Sequence, residues 1–110
     1  MSTKLADRLE ALLAAGPDTA LTRFSLGNAY LNEDPARAAT HLSRAVELDP
    51  QYSAAWKVLG KAQNLAGDAA AAIIAYQCGI EIAQTNGDKQ AAKEMQVFLK
   101  RLQRESVKSK

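Results

Sequence analysis

Leu26-Gly27-Asn28-Ala29-Tyr30 returns as Leu59-Gly60-Lys61-Ala62-Gln63, displaced by 33 residues. Pro17 returns as Pro50, and in both copies the proline lies 10 positions ahead of the glycine. Further on, Asp34-Pro35-Ala36-Arg37-Ala38 is answered by Asp68-Ala69-Ala70-Ala71-Ala72 at a displacement of 34. A period in this range is the mark of stacked helix pairs, each unable to bury its apolar face without its neighbours. The two copies therefore fix an expectation of an all-α chain before any single helix is delimited.

Outward from these copies, six helical segments can be read. Leu5, Leu9, Leu12 and Leu13 follow the i, i+4, i+7, i+8 spacing of one helix face, over about 4–15. Gly16-Pro17-Asp18 closes that helix and opens the next, which carries Leu21, Phe24, Gly27 and Leu31. The third helix, from about Pro35 to Leu48, turns Ala38, Leu42, Ala45 and Val46 inward, and Asp49-Pro50 stops it. The fourth places Ala55, Trp56, Leu59 and Gln63 in one stripe and ends at Ala66-Gly67-Asp68, where glycine suits the helix exit and aspartate caps the next entry. The fifth presents Ala72, Ile73, Tyr76 and Ile80. The sixth, over about 88–104, presents Ala91, Met95, Phe98 and Leu102, and residues 106–110 read as a flexible polar tail.

Composition narrows the function classes. A chain of 110 residues makes one domain, here 1–105, and 47% apolar content with 24% charge is that of a folded protein. Much of the apolar fraction is alanine, the strongest helix former. The net charge of +2 is too small to favour nucleic acid as a partner. No apolar run reaches membrane-spanning length, the start lacks a signal-peptide core, and Cys78 has no second cysteine to pair with, so the cytoplasm is the expected compartment. No catalytic constellation is expected: His41 reads as a surface or edge histidine, Cys78 as a packing residue, and one His with one Cys makes no metal site. No cofactor is expected either, since Leu26-Gly27 and Leu59-Gly60 lie inside helices and form no phosphate loop.

Residues 20–84 resemble the tetratricopeptide repeat, whose order of marks is Trp, Leu-Gly, Tyr, Ala, an aromatic, Ala, Pro. The second copy supplies Trp56, Leu59-Gly60, Ala72, Tyr76 and Gly79, and departs at Gln63 and Gln84. The first supplies Leu26-Gly27, Tyr30, Ala38, Leu42, Ala45 and Pro50, and departs at Arg23, where Trp is usual. Steric reasoning agrees: Gly27 and Gly60 should lie where paired helices touch, with Ala38 and Ala72 as the small partners opposite and Trp56 and Tyr76 as fillers between pairs. The resemblance implies two full repeats, about 20–52 and 53–86, between two half-repeat capping helices, in a right-handed superhelical arc.

The resemblance also implies a concave face built from the first helix of each pair. Its positions fall on Leu21, Phe24, Ser25, Asn28 and Asn32, then on Ala54, Lys57, Val58, Lys61 and Asn64, with some of Lys89, Lys93 and Gln96 from the last helix. That set contains no acidic residue. Phe24, Asn28, Asn32, Lys57, Lys61 and Asn64 are the candidate partner-binding residues, donors and an aromatic able to hold a protein or peptide segment, an acidic one included. Only Asn28 matches the carboxylate-gripping set of some co-chaperones of the family, so that clamp does not transfer. Lys89, Lys93, Lys100 and Arg104 form a basic stripe on the last helix, read as a solvating outer face without aromatics for base stacking. The expected function is an adaptor, assembly factor or co-chaperone, monomeric or weakly dimeric, and the alternative is a structural module that self-associates through an exposed repeat end.

Overall fold

A computed structural model describes residues 4–108. Six helices account for nearly all of them: α1 (Lys4–Ala15), α2 (Ala20–Tyr30), α3 (Pro35–Leu48), α4 (Ser53–Leu65), α5 (Ala69–Asn86) and α6 (Lys89–Lys108). Among the described residues there is no strand.

The helix boundaries follow from local chemistry. Thr19 accepts from the Thr22 amide at 3.1 Å, and Asp34, Asp68 and Asp88 accept from Arg37, Ala71 and Ala91 at 3.1–3.2 Å. Each side chain satisfies a donor the helix itself leaves unpaired. Gly67 and Gly87 take left-handed backbone, φ 89° and 76°. That geometry lets the Asp68 and Asp88 amides reach back to the Gln63 and Ala83 carbonyls at 2.8 Å, so one turn both closes a helix and positions the cap of the next.

Successive helices pack side by side, α1 on α2 through to α5 on α6. Across the stack, α2 packs on α4 and α4 on α6, whereas the backbones of α1, α3 and α5 stay apart, α1 reaching α3 only through the Glu10 side chain. The even-numbered helices therefore form the inner layer of a curved stack and the odd-numbered ones the outer layer. The molecule measures 44 × 32 × 19 Å.

The glycine of each repeat is where the pair closes. A Cβ on Gly27 would fall inside the Leu42 side chain, and one on Gly60 would stand 2.5 Å from Tyr76 Cε1. The partners are thus the large Leu42 and Tyr76. Ala38 and Ala72, expected to face the glycines, are fully buried a turn away, where their small size lets the backbones approach. Gly79 repeats the device both within its pair, against Trp56 Cβ, and towards the closing helix, against Met95 Sδ. Two core clusters result, one centred on Leu26, Leu42 and Leu59 and one on Tyr76, Met95 and Leu102, and Trp56 packs against both.

Several expectations are corrected. On α1 the inward residues are Ala6, Leu9 and Leu13, while Leu5 and Leu12 are 57% and 60% exposed. Trp56 is half-buried, with its indole N–H donating to the Pro50 carbonyl at 2.9 Å. Finally, α6 continues to Lys108, four residues past its expected end, because nothing between Glu105 and Lys108 breaks a helix. Of the expected tail, only residues 109–110 lie outside the described residues.

Candidate functional site

The inner layer carries two adjoining depressions. The first, about 270 Å³, is lined by Asn28 of α2 and Leu31 just past its end, Lys57, Val58 and Lys61 of α4, and Glu94 and Phe98 of α6. The second, about 320 Å³, lies further along α4 and α6 and is lined by Lys61, Asn64, Leu65, Tyr76, Phe98, Arg101, Leu102 and Glu105. Lys61 and Phe98 belong to both, so the two make one continuous groove. Its floor is apolar and aromatic, and its walls carry amides and charges of both signs.

Four of the six candidate residues, Asn28, Lys57, Lys61 and Asn64, line this groove. Phe24 does not. Its ring packs on Tyr52 with centroids 4.8 Å apart, so it joins α2 to the entry of α4. Asn32 is exposed beyond the end of α2 and lines neither depression.

The groove is not free of acid. Glu94 projects from α6 and accepts from Lys57 Nζ at 2.9 Å, both side chains about a third exposed. The expectation of an acid-free face failed at α6, where the repeat's Leu-Gly mark is missing and its register with it. Leu31, Leu65, Phe98 and Arg101 also went unassigned to the groove. The 3.6-residue period that puts Phe98 near Met95 and Leu102 marked it as core, and it serves as core and groove floor at once, 5.7 Å from the Tyr76 ring.

A second polar cluster lies between α1, α2 and α3. Glu10 accepts from the Tyr30 hydroxyl at 2.8 Å, with Arg37 at 3.6 Å and His41 Nε2 at 3.9 Å. The Arg37 guanidinium sits 4.7 Å over the Tyr30 ring, and the His41 ring stacks on the same Tyr30 ring with centroids 5.8 Å apart. His41 is buried, not at the surface as expected. Its Nδ1 lies 3.1 Å from Arg23 Nη1. Because the guanidinium can only donate, Nδ1 accepts and the ring proton resides on Nε2, facing Glu10. Burial is the main cause that pushes the imidazole pKa down, with Arg23 and Arg37 acting in the same direction. Arg23 also makes a forked pair with Asp18 at 2.8 and 3.0 Å, and Arg44 adds a contact at 3.1 Å. These hydrogen bonds hold the Asp18 carboxyl at about 2. Arg23 thus fills the place of the usual Trp with an ionic clasp on the α1–α2 turn.

Tyr76 is buried beneath Phe98, which raises its phenol to about 12. The groove therefore offers a neutral Tyr76 at all physiological pH values. Among the described residues no group of three His, Cys, Asp or Glu side chains converges as a metal site, and no helix is long and apolar enough to cross a membrane.

Comparison with known proteins agrees with this architecture. Residues 32–87 match the family model for the tetratricopeptide repeat. Over 97 residues the chain is 58% identical to the TPR repeat-containing protein PA0015 of Pseudomonas aeruginosa, covering 87% of this chain and 92% of that one. The solution structure of protein BPP2914 from Bordetella parapertussis superposes with a TM-score of 0.79 at 47% identity, over 94% of this chain and 90% of that one. The crystal structure of MamA superposes with a TM-score of 0.66 at 22% identity, over 94% and 68%, a likeness of fold.

Proposed function

Because this chain belongs to the tetratricopeptide repeat family, a family of protein-binding scaffolds, we propose that it acts in the cytoplasm as an adaptor or assembly factor that holds a segment of a partner protein in the groove between α4 and α6. The observation that carries this reading is the continuity of the two depressions through Lys61 and Phe98. A groove of this form takes an extended segment or helix, with apolar side chains against Leu65, Phe98 and Leu102 and polar groups against the walls. Lys57 is already neutralised by Glu94, so a carboxylate on the ligand is met by Lys61 and Arg101, with Asn28 and Asn64 donating to backbone carbonyls. The binding unit is the whole stack, the repeats 20–52 and 53–86 held between their end helices, because α6 supplies one wall.

Selection of peptides from a random display library, followed by amide-shift mapping with one selected peptide, tests this. Shifts should concentrate at Asn28, Lys61, Phe98 and Arg101, and the Lys61→Glu/Arg101→Glu variant should lose affinity at least tenfold. Shifts confined to α1, α3 and α5 would place binding on the outer layer and end the proposal.

A further inference from the structure

The two ends of the stack are finished differently. In α3, Ala38, Leu42 and Ala45 are fully buried against α2, and in α5, Ala72, Tyr76 and Gly79 are buried against α4. At the 33-residue displacement the corresponding residues of α1 are Leu5, Leu9 and Leu12. They occupy the face that in each full repeat receives the first helix of the pair. Leu9 is half-buried against the first core cluster, but among the described residues no element covers Leu5 and Leu12, which are more than half exposed: the backbone of α1 packs on α2, and α1 reaches α3 only through Glu10. Leu21, where Ala54 stands one repeat later, is 66% exposed as well.

The other end is polar. On α6 the residues Lys89, Lys93, Gln96, Lys100 and Gln103 follow one another at helical spacing, and all are exposed. Gln96 stands at the register of Gly60, so the site where a following helix would nest is blocked by a solvated amide. A second copy stacked head to tail would press these lysines onto the leucines of α1, burying charge without partners. Open-ended stacking is therefore disfavoured, and the leucine face fits only a surface as apolar as itself.

We propose that this face pairs with the same face of a second copy of the chain, α1 against α1 about a twofold axis. Leu5, Leu9, Leu12 and Gly16 alternate four and three residues apart, the spacing of a helix-to-helix seam. Antiparallel pairing centred near Leu9 sets Leu5 of each copy opposite Leu12 of the other, which is the reciprocal contact a twofold interface requires. The seam is short, about 18 Å for a helix of 12 residues, so the dimer is weak and forms reversibly. The groove lies on the α4–α6 side and remains open, so each dimer presents two.

Sedimentation velocity of the intact chain from ~10 μM to ~1 mM tests the pairing. The mass should rise from 11.8 kDa towards twice that value. The Leu5→Glu/Leu12→Glu variant should stay monomeric over the same range with an unchanged helical circular dichroism spectrum, both side chains being exposed. In a Cys78→Ser background, a mixture of Leu5→Cys and Leu12→Cys chains should form a disulfide-linked heterodimer faster than either alone forms a homodimer. A wild type monomeric at ~1 mM, a dimer that survives the double Glu variant, or leucines occupied only by a helix of another protein would each overturn the proposal.

Discussion

At the scale of the residue, the fold turns on where a side chain is missing. Gly60→Leu forces Tyr76 out of its place, and overpacking of this kind costs about 1–3 kcal/mol, read as a lower denaturation midpoint at unchanged m-value. Trp56→Ala removes the residue that joins the two core clusters. Trp56 is half-buried, so the cost is about 2 kcal/mol, below the range for a fully buried Trp. If Gly60→Leu unfolds at the wild-type midpoint, Tyr76 has a second place to go and the tight pair is not essential. His41 makes a separate prediction. Its pKa is depressed in the folded state, so the unfolded chain binds the proton more tightly. The stability its neutral form contributes is complete above about 6.5, the ordinary value, and is lost as pH falls below it. Urea melts at pH 7 and pH 5 should show the loss in the wild type and a smaller one in His41→Gln. Equal losses in both would assign the acid sensitivity to another group. The burial of His41 was not legible in the sequence, because it depends on Arg23 and Glu10 arriving from two other helices.

At the scale of the element, legibility followed the presence of local signals. The turns at Gly67-Asp68 and Gly87-Asp88 each carry both a helix exit and a helix cap, and at Gly67-Asp68 both roles were read directly. The far end of α6 has no such punctuation and runs on to Lys108. On α1 the apolar spacing was read correctly as a helix face, yet the stripe is wider than the surface that receives it, so pattern alone could not say which leucines turn inward. Deleting residues 106–110 removes only exposed positions among those described and should leave the thermal midpoint unchanged. Deleting 88–110 uncovers Ala72, Tyr76 and Ala83 and should abolish cooperative unfolding. Calorimetry distinguishes the two. A cooperative transition from the 1–87 chain would show that the repeats need no closing helix.

At the scale of the whole molecule, the groove was half legible. Lys57, Val58, Lys61 and Asn64 of α4 do line the depressions, because the Leu59-Gly60 mark fixes the rotation of that helix. The wall from α6 was not, because Gln96 replaces the glycine that would have fixed the rotation there. That wall changes the electrostatic prediction. Lys57→Glu sets two carboxylates against each other across the groove and should weaken ligand binding by local repulsion, and Glu94→Lys in the same chain restores an ion pair of opposite polarity. Exposed pairs of this type contribute ~0–1 kcal/mol, so the double variant should recover wild-type stability and most of the affinity. Lys61→Glu/Arg101→Glu adds two carboxylates to a lining that already holds Glu105, and should lose affinity for an acidic peptide together with most of the salt dependence of its association rate. Peptide titrations at two ionic strengths separate the cases. If the Lys57→Glu/Glu94→Lys chain binds no better than Lys57→Glu alone, then Lys57 contacts the ligand directly and its pairing with Glu94 is broken on binding. If the Lys61→Glu/Arg101→Glu chain binds with undiminished salt sensitivity, the acidic ligand is recognised elsewhere, and the basic stripe of α6 becomes the surface to reverse next.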